Sequence, residues 1–187
     1  MPGGKLSLPE SERLVLREWR EKDWPFFAAM NANPQVMRFF PGVMTDKDSL
    51  SMWNRMREEL DERGYGLYAV ELKHSGSLIG LLGFHWADFE ADFTPCVEIG
   101  WRLVPGAWGY GYATEGARAC LKHGFARFGF DRVYSFTACV NFPSQAVMQR
   151  VGMRKIAEFN HPKVAPDSIL YPHVLYVKDT FRKIERE

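Results

Sequence analysis

The stretch VPGAWGYGYATEGARACLKHGF, Val104 to Phe125, sets Gly109, Gly111 and Gly116 where an apolar strand, PCVEIGWRLV, runs into a helix. Ala113, Ala117, Cys120, Leu121 and Phe125 fall near one face of that helix, and small residues in its first turns let it lie close on a sheet. A strand that enters a glycine turn and then a helix N-terminus presents free backbone N–H groups and the positive end of the helix dipole, an anion site whose usual guest is phosphate. A P-loop would need a lysine after Gly111, and a dinucleotide turn would need glycine where Thr114 stands, with an acidic residue near the end of the next strand. Neither pattern is complete. The plain alternative is that the glycines only turn the chain and let the helix pack.

Outward from the turn, the periodicities give the remaining elements. Leu14 and Leu16 alternate with polar neighbours in RLVLREW, a strand. Asp23-Trp24-Pro25 opens a helix as N-cap and first-turn proline, and Asn33-Pro34 ends it. Thr45-x-x-Asp48 starts a second helix that runs to Arg63-Gly64. GLYAVEL and SLIGLLGFHW, separated by KHSGS, form a hairpin. After the glycine turn come the strand RVYSFTACV, the short helix NFPSQAVMQRVG, and the strands RKIAEF and HVLYVKDTF. The order β-α-α-β-β-β-α-β-α-β-β predicts an α+β fold with a mixed, mostly antiparallel sheet of about seven strands flanked by about four helices. The 187 residues are enough for one core, so one domain is expected over 1–187, with 1–10 as a flexible lead.

Composition narrows the partners. The 24 Lys and Arg almost balance the 23 Asp and Glu, which gives no broad pull toward nucleic acid or anionic lipid. No apolar run approaches the ~20 residues of a membrane span, and MPGGKLSLPESERL lacks the apolar core of a secretion signal, so a cytoplasmic location is expected. Cys96, Cys120 and Cys139 show no C-x-x-C and are expected to be small buried hydrophobes. His74, His85, His123, His161 and His173 show no H-E-x-x-H, and no metal is expected.

EIGWRLVPGAWGYGYATEG resembles the central motif of the GNAT superfamily of N-acetyltransferases, in the branch of the ribosomal-protein N-terminal acetyltransferases of the RimJ and RimL type. There the pattern reads E-I-G-[YW]-x-L-x-P-x-x-W-G-x-G-Y-A-T-E-A. Glu98, Ile99, Gly100, Leu103, Pro105, Trp108, Gly109, Gly111, Tyr112, Ala113, Thr114 and Glu115 stand in register. Downstream, NFPSQAVMQRVGM resembles the family's N-x-x-S-x-x-[VL]-[ML]-x-[KR]-[VL]-G-[FM], and LVLREWREKDW resembles its opening strand and helix.

The resemblance implies acetyl-coenzyme A as co-substrate, its pyrophosphate on the backbone amides of Trp108, Gly109, Tyr110, Gly111, Tyr112 and Ala113. Its pantetheine would lie along the backbone of Trp101, Arg102 and Leu103. Asn141 matches the asparagine that bonds the cofactor arm, and Ser144 a serine near the thioester sulfur; Asn141 also reads as a helix cap. The register where many members hold an acidic tyrosine is Met148, which leaves Ser144 as candidate acid. Glu98 is the candidate base, with His85 and His173 as alternatives, and a structural glutamate is the competing reading. Phe39, Phe40, His85 and Trp86 are candidates for the acceptor groove, while Trp53 and Tyr65 read as core. The implied reaction is acetyl transfer to a primary amine, on a peptide N-terminus or a small molecule, by direct attack in a ternary complex. A non-catalytic acyl-coenzyme A sensor is the alternative, and a monomer and a homodimer are both compatible.

Overall fold

Leu14 and Leu16 are both buried, as their alternation requires, in strand β1 (Leu14–Arg17). The computed structural model describes residues 8–180. Most of the expected N-terminal lead, and Phe181 at the end of the last expected strand, lie outside the described residues.

Asp23 precedes α1 (Trp24–Asn31), yet its side chain does not cap the helix. The carboxylate instead accepts from Nη1 and Nη2 of the buried Arg17 at 2.6 and 3.1 Å and from the Arg20 N–H. These bonds hold it below the usual carboxylate range even though burial opposes its charge. Asn33-Pro34 ends α1 as expected, and then does more. The Asn33 side chain accepts from the Gln35 and Val36 N–H groups and starts a one-turn helix, α2 (Pro34–Met37), which brings the helices to five where about four were expected. A cap followed by proline stops one helix and starts the next with the same residues, and periodicity cannot see a single turn. Thr45 and Asp48 form the reciprocal capping box of α3 (Asp46–Arg63), and Gly64 closes it in the left-handed region.

Strands β2 (Leu67–Leu72), β3 (Leu78–Ala87) and β4 (Cys96–Leu103) follow, then α4 (Tyr112–His123), β5 (Arg132–Ala138), α5 (Phe142–Arg150), β6 (Arg154–Asn160) and β7 (Pro172–Asp179). The sheet order is β1-β2-β3-β4-β5-β7-β6, and only the β4–β5 pair is parallel. On one face α1 to α3 bury Phe27, Met30, Trp53 and Met56 against Trp19, Ala69 and Leu81. On the other, α4 and α5 cover Leu14, Leu16, Leu82, Ile99 and Val133. Gly116 sets the approach of α4: a Cβ there would stand 2.7 Å from Leu82 Cδ1. Trp53 and Tyr65 are core, as are Cys96 and Cys120, whereas Cys139 is only half-buried.

Candidate active site

The site begins with a fault in the sheet. Strand β4 is paired with β3 along its whole length, from Gly80 opposite Leu103 to Ala87 opposite Cys96. On its other side it meets β5 at one rung, Glu98 opposite Tyr134, reinforced by the Ser135 hydroxyl donating to the Ile99 carbonyl at 2.9 Å. Past that rung the two strands separate, and the stretch from Gly100 to Leu103 borders a cleft of about 1660 Å³. Backbone groups on that open edge are available to a ligand, because an unpaired strand edge is a row of donors and acceptors.

At the far end of β4 a 3₁₀ turn, Pro105–Ala107, redirects the chain, and Trp108 Nε1 donates to the Leu103 carbonyl at 2.8 Å. Gly109 and Gly111 then take φ of 84° and 81°, a region that costs a side-chain-bearing residue roughly 1–2 kcal/mol. A Cβ on Gly109 would meet nothing within 4 Å, so the space above it is open. Gly111 caps α4 without a side chain, and the first helical bond, Glu115 N–H to Gly111 carbonyl, leaves the three preceding amides outside the helical ladder. The turn thus combines amides outside the helical ladder with open space above Gly109, the features a pyrophosphate needs of a backbone cradle.

Arg13, which no motif singled out, places a guanidinium beside that cradle. Its Nε donates to Glu115 at 2.6 Å, its guanidinium lies 4.7 Å from the Tyr112 ring centre, and its Nη2 is 3.7 Å from where a Gly111 Cβ would be. Tyr110 stacks on Tyr112 with ring centres 5.6 Å apart, and its side chain stands outside the cleft lining.

The opposite wall comes from α5. Asn141 is its N-cap, accepting from the Ser144 N–H at 3.3 Å, while its own amide donates to the Thr137 hydroxyl at 2.8 Å and the Ser144 hydroxyl at 3.0 Å. Because Ser144 accepts from Asn141, its hydroxyl hydrogen is left to aim elsewhere. Both residues line the cleft; Met148 is buried beneath them.

Glu98 lies on the cleft floor opposite His85 on β3. Protein surrounds its carboxylate and only part of its surface opens to the cleft. That desolvation pushes its pKa up to about 7, with the nearby Glu59 carboxylate adding to the rise and His85 opposing it. His85 Nδ1 lies 2.7 Å from Glu59 Oε2, and Glu59 Oε1 accepts the Trp86 N–H at 2.5 Å. The hydrogen bond to Glu59 holds the imidazole above its ordinary value against the effect of burial. Glu59 was missed because it sits in the charged run REELDER, which reads as a solvated helix face. In Glu59→Gln the His85 pKa should fall, as followed by its imidazole proton shifts in NMR; an unmoved titration would show that the pair does not set it.

Phe39 and Phe40 line the cleft, as do His85, Trp101, Arg102, Leu103 and His173. Trp86 is the exception among the acceptor-groove candidates. It follows His85 in an extended strand, so its side chain leaves from the other face of the sheet, where the Arg63 guanidinium lies 4.7 Å from its ring. The His173 and His161 ring centres lie 4.8 Å apart with the planes tilted by 48°, and burial lowers both pKa values, that of His161 to about 4.

The GNAT acetyltransferase domain family matches residues 13–154. The chain belongs to this family, whose members transfer an acetyl group from acetyl-coenzyme A to an amine. It is 32% identical over 146 residues to the uncharacterized N-acetyltransferase YnaD of Bacillus subtilis, covering 78% of this chain and 81% of that one. Among solved structures, a GNAT-family acetyltransferase from Bacillus anthracis superposes with a TM-score of 0.75 at 27% identity, covering 92% and 98% of the two chains. The spermidine N-acetyltransferase of Vibrio cholerae, solved with coenzyme A and spermine, shares the fold at a TM-score of 0.71 and 16% identity, covering 89% of this chain and 95% of that one.

Proposed function

We propose that the protein acetylates a primary amine by direct attack in a ternary complex, with Glu98 as base. The observation that carries this reading is the placement, on one strand, of a half-buried carboxylate at the sheet fault and a glycine cradle at the strand's end. The amides of Trp108, Gly109, Tyr110, Gly111, Tyr112 and Ala113 would hold the pyrophosphate of acetyl-coenzyme A. The open edge of Trp101, Arg102 and Leu103 would align its arm, with Asn141 closing the other wall. When bound, the cofactor supplies an activated acyl group on a sulfur that leaves readily.

An amine is protonated in water near neutral pH and cannot attack in that form. A carboxylate with pKa about 7 takes the proton directly or through a water and is regenerated at the same pH. Ser144, its hydroxyl oxygen engaged by Asn141, donates its hydrogen toward the departing sulfur. The test is calorimetric binding of acetyl-coenzyme A followed by thiol release with a panel of primary amines. Binding with amine-dependent thiol release supports the reading, and a folded protein that binds no acetyl-coenzyme A would sink it.

A further inference from the structure

Among the described residues, Arg102 is a cation without a counter-ion. On β4 the side chains of Glu98, Gly100 and Arg102 leave from one face, the face covered by α1 to α3. The guanidinium is enclosed there: Nη1 donates to Asn31 Oδ1 at 2.5 Å and lies 3.9 Å from the sulfurs of Met44 and Met52, and the Phe40 ring centre is 4.3 Å from Cζ. Nε is buried with no hydrogen-bond partner. Every group that touches it is neutral. Arg17, on β1, shows what the fold does with a buried guanidinium that is only structural: Asp23 and Glu71 both pair it, at 2.6 and 2.9 Å. Among the described residues no carboxylate offsets Arg102, and burial alone acts on it, lowering its pKa to about 10. A guanidinium still carries its charge at neutral pH under that shift. A buried charge left unpaired is costly, and Arg102 lines the cleft, the route by which an anion can reach it.

We infer that Arg102 is the receptor for a carboxylate on the acceptor, so that the amine acetylated by this enzyme belongs to an amino-acid-like molecule. This rests on the acetyl-transfer reading and names its substrate class. Gly100, between Glu98 and Arg102, has no side chain and leaves the floor between base and cation bare; a Cβ there would meet only Glu98 Oε1, at 3.9 Å. Glu98 and Arg102 are four residues apart on a strand, about 13 Å between Cα atoms. Their side chains close part of that distance, so the acceptor carries its carboxylate a few bonds from its amine.

The experiment compares kcat/KM by thiol release for matched pairs: alanine with ethylamine, 3-aminopropanoate with propylamine, 4-aminobutanoate with butylamine, and 5-aminopentanoate with pentylamine. The wild-type enzyme is expected to prefer the carboxylate member of at least one pair by about 10- to 100-fold, the strength of a charge-assisted hydrogen bond or two. In Arg102→Gln that ratio collapses toward one. Asn31→Asp places an internal carboxylate against Nη1 while keeping Arg102 and its packing, and it collapses the ratio as well, which keeps the test open if Arg102→Gln fails to fold. Preference for the uncharged member of every pair overturns the inference and leaves the acetyl-transfer reading standing. A ratio that survives both variants overturns it too, as does an Arg102→Gln enzyme that loses acetyl-coenzyme A affinity with its ratio intact, which would assign the guanidinium to the cofactor. Thiol release with no member of any pair counts against both readings.

Discussion

Replacing Glu98 with glutamine is expected to lower kcat by a factor on the order of 100 to 10 000, the usual worth of a positioned base, with acetyl-coenzyme A affinity unchanged. The pH profile carries the stronger test. The base works as carboxylate, so below its pKa of about 7 the wild-type kcat/KM falls about tenfold per pH unit, and the variant loses that limb while keeping the one set by the acceptor's own amine. Stability moves the other way. Desolvation raises the pKa of folded Glu98 above its unfolded value, so the native state holds the proton more tightly, and ionising Glu98 costs stability as pH rises from about 4.5 to about 7. Glutamine removes that cost. The variant should be the more stable protein above pH 7, by on the order of 3 kcal/mol, with the gap closing at pH 4. Denaturant melts at the two pH values measure it. Lost turnover with a destabilised protein at pH 8 would mean that the carboxylate is a structural partner, and an active variant would remove it from the mechanism.

Gly109→Trp should abolish acetyl-coenzyme A binding in calorimetry, with affinity down at least about 100-fold, the equivalent of two lost charge-assisted hydrogen bonds. A Cβ on Gly109 meets nothing within 4 Å, so a side chain there starts out into the cradle and not into the protein. Backbone strain at φ 84° is shared by Gly109→Ala, which therefore serves as the control for strain without bulk. Binding that survives in a folded Gly109→Trp protein would show that the cradle is not where the cofactor lies.

All seven strands were legible in the sequence because each shows alternation or an apolar run bounded by turn residues, and the glycine turn because strand, glycines and helix follow one another directly. Contacts that unite distant segments were not legible. Arg13 reaches Gly111 and Glu115 across the first half of the chain, and Glu59 reaches His85 from a helix whose charges look solvated. Arg102 was read for its backbone alone. Its side chain acquires meaning only from what fails to stand beside it, and that depends on Asn31, Phe40 and two methionines brought in by packing. Trp86 was assigned to the groove as an aromatic, with Phe39 and Phe40, whereas its side chain leaves from the face of the strand opposite His85.

The single rung between β4 and β5 divides labour within the molecule. One leaf of the sheet, β1 to β4, carries the candidate base and the unpaired guanidinium; the other, β5 to β7, carries Asn141 and Ser144 at the start of α5, His161 after β6 and His173 on β7. A continuous sheet passes a register slip in one strand to every neighbour. Here the sheet's hydrogen bonding passes from the second leaf to the first through one rung and the Ser135–Ile99 bond beside it. Loops on the second leaf can therefore change length without displacing the base and the guanidinium, which share β4, and one scaffold can serve many acceptors.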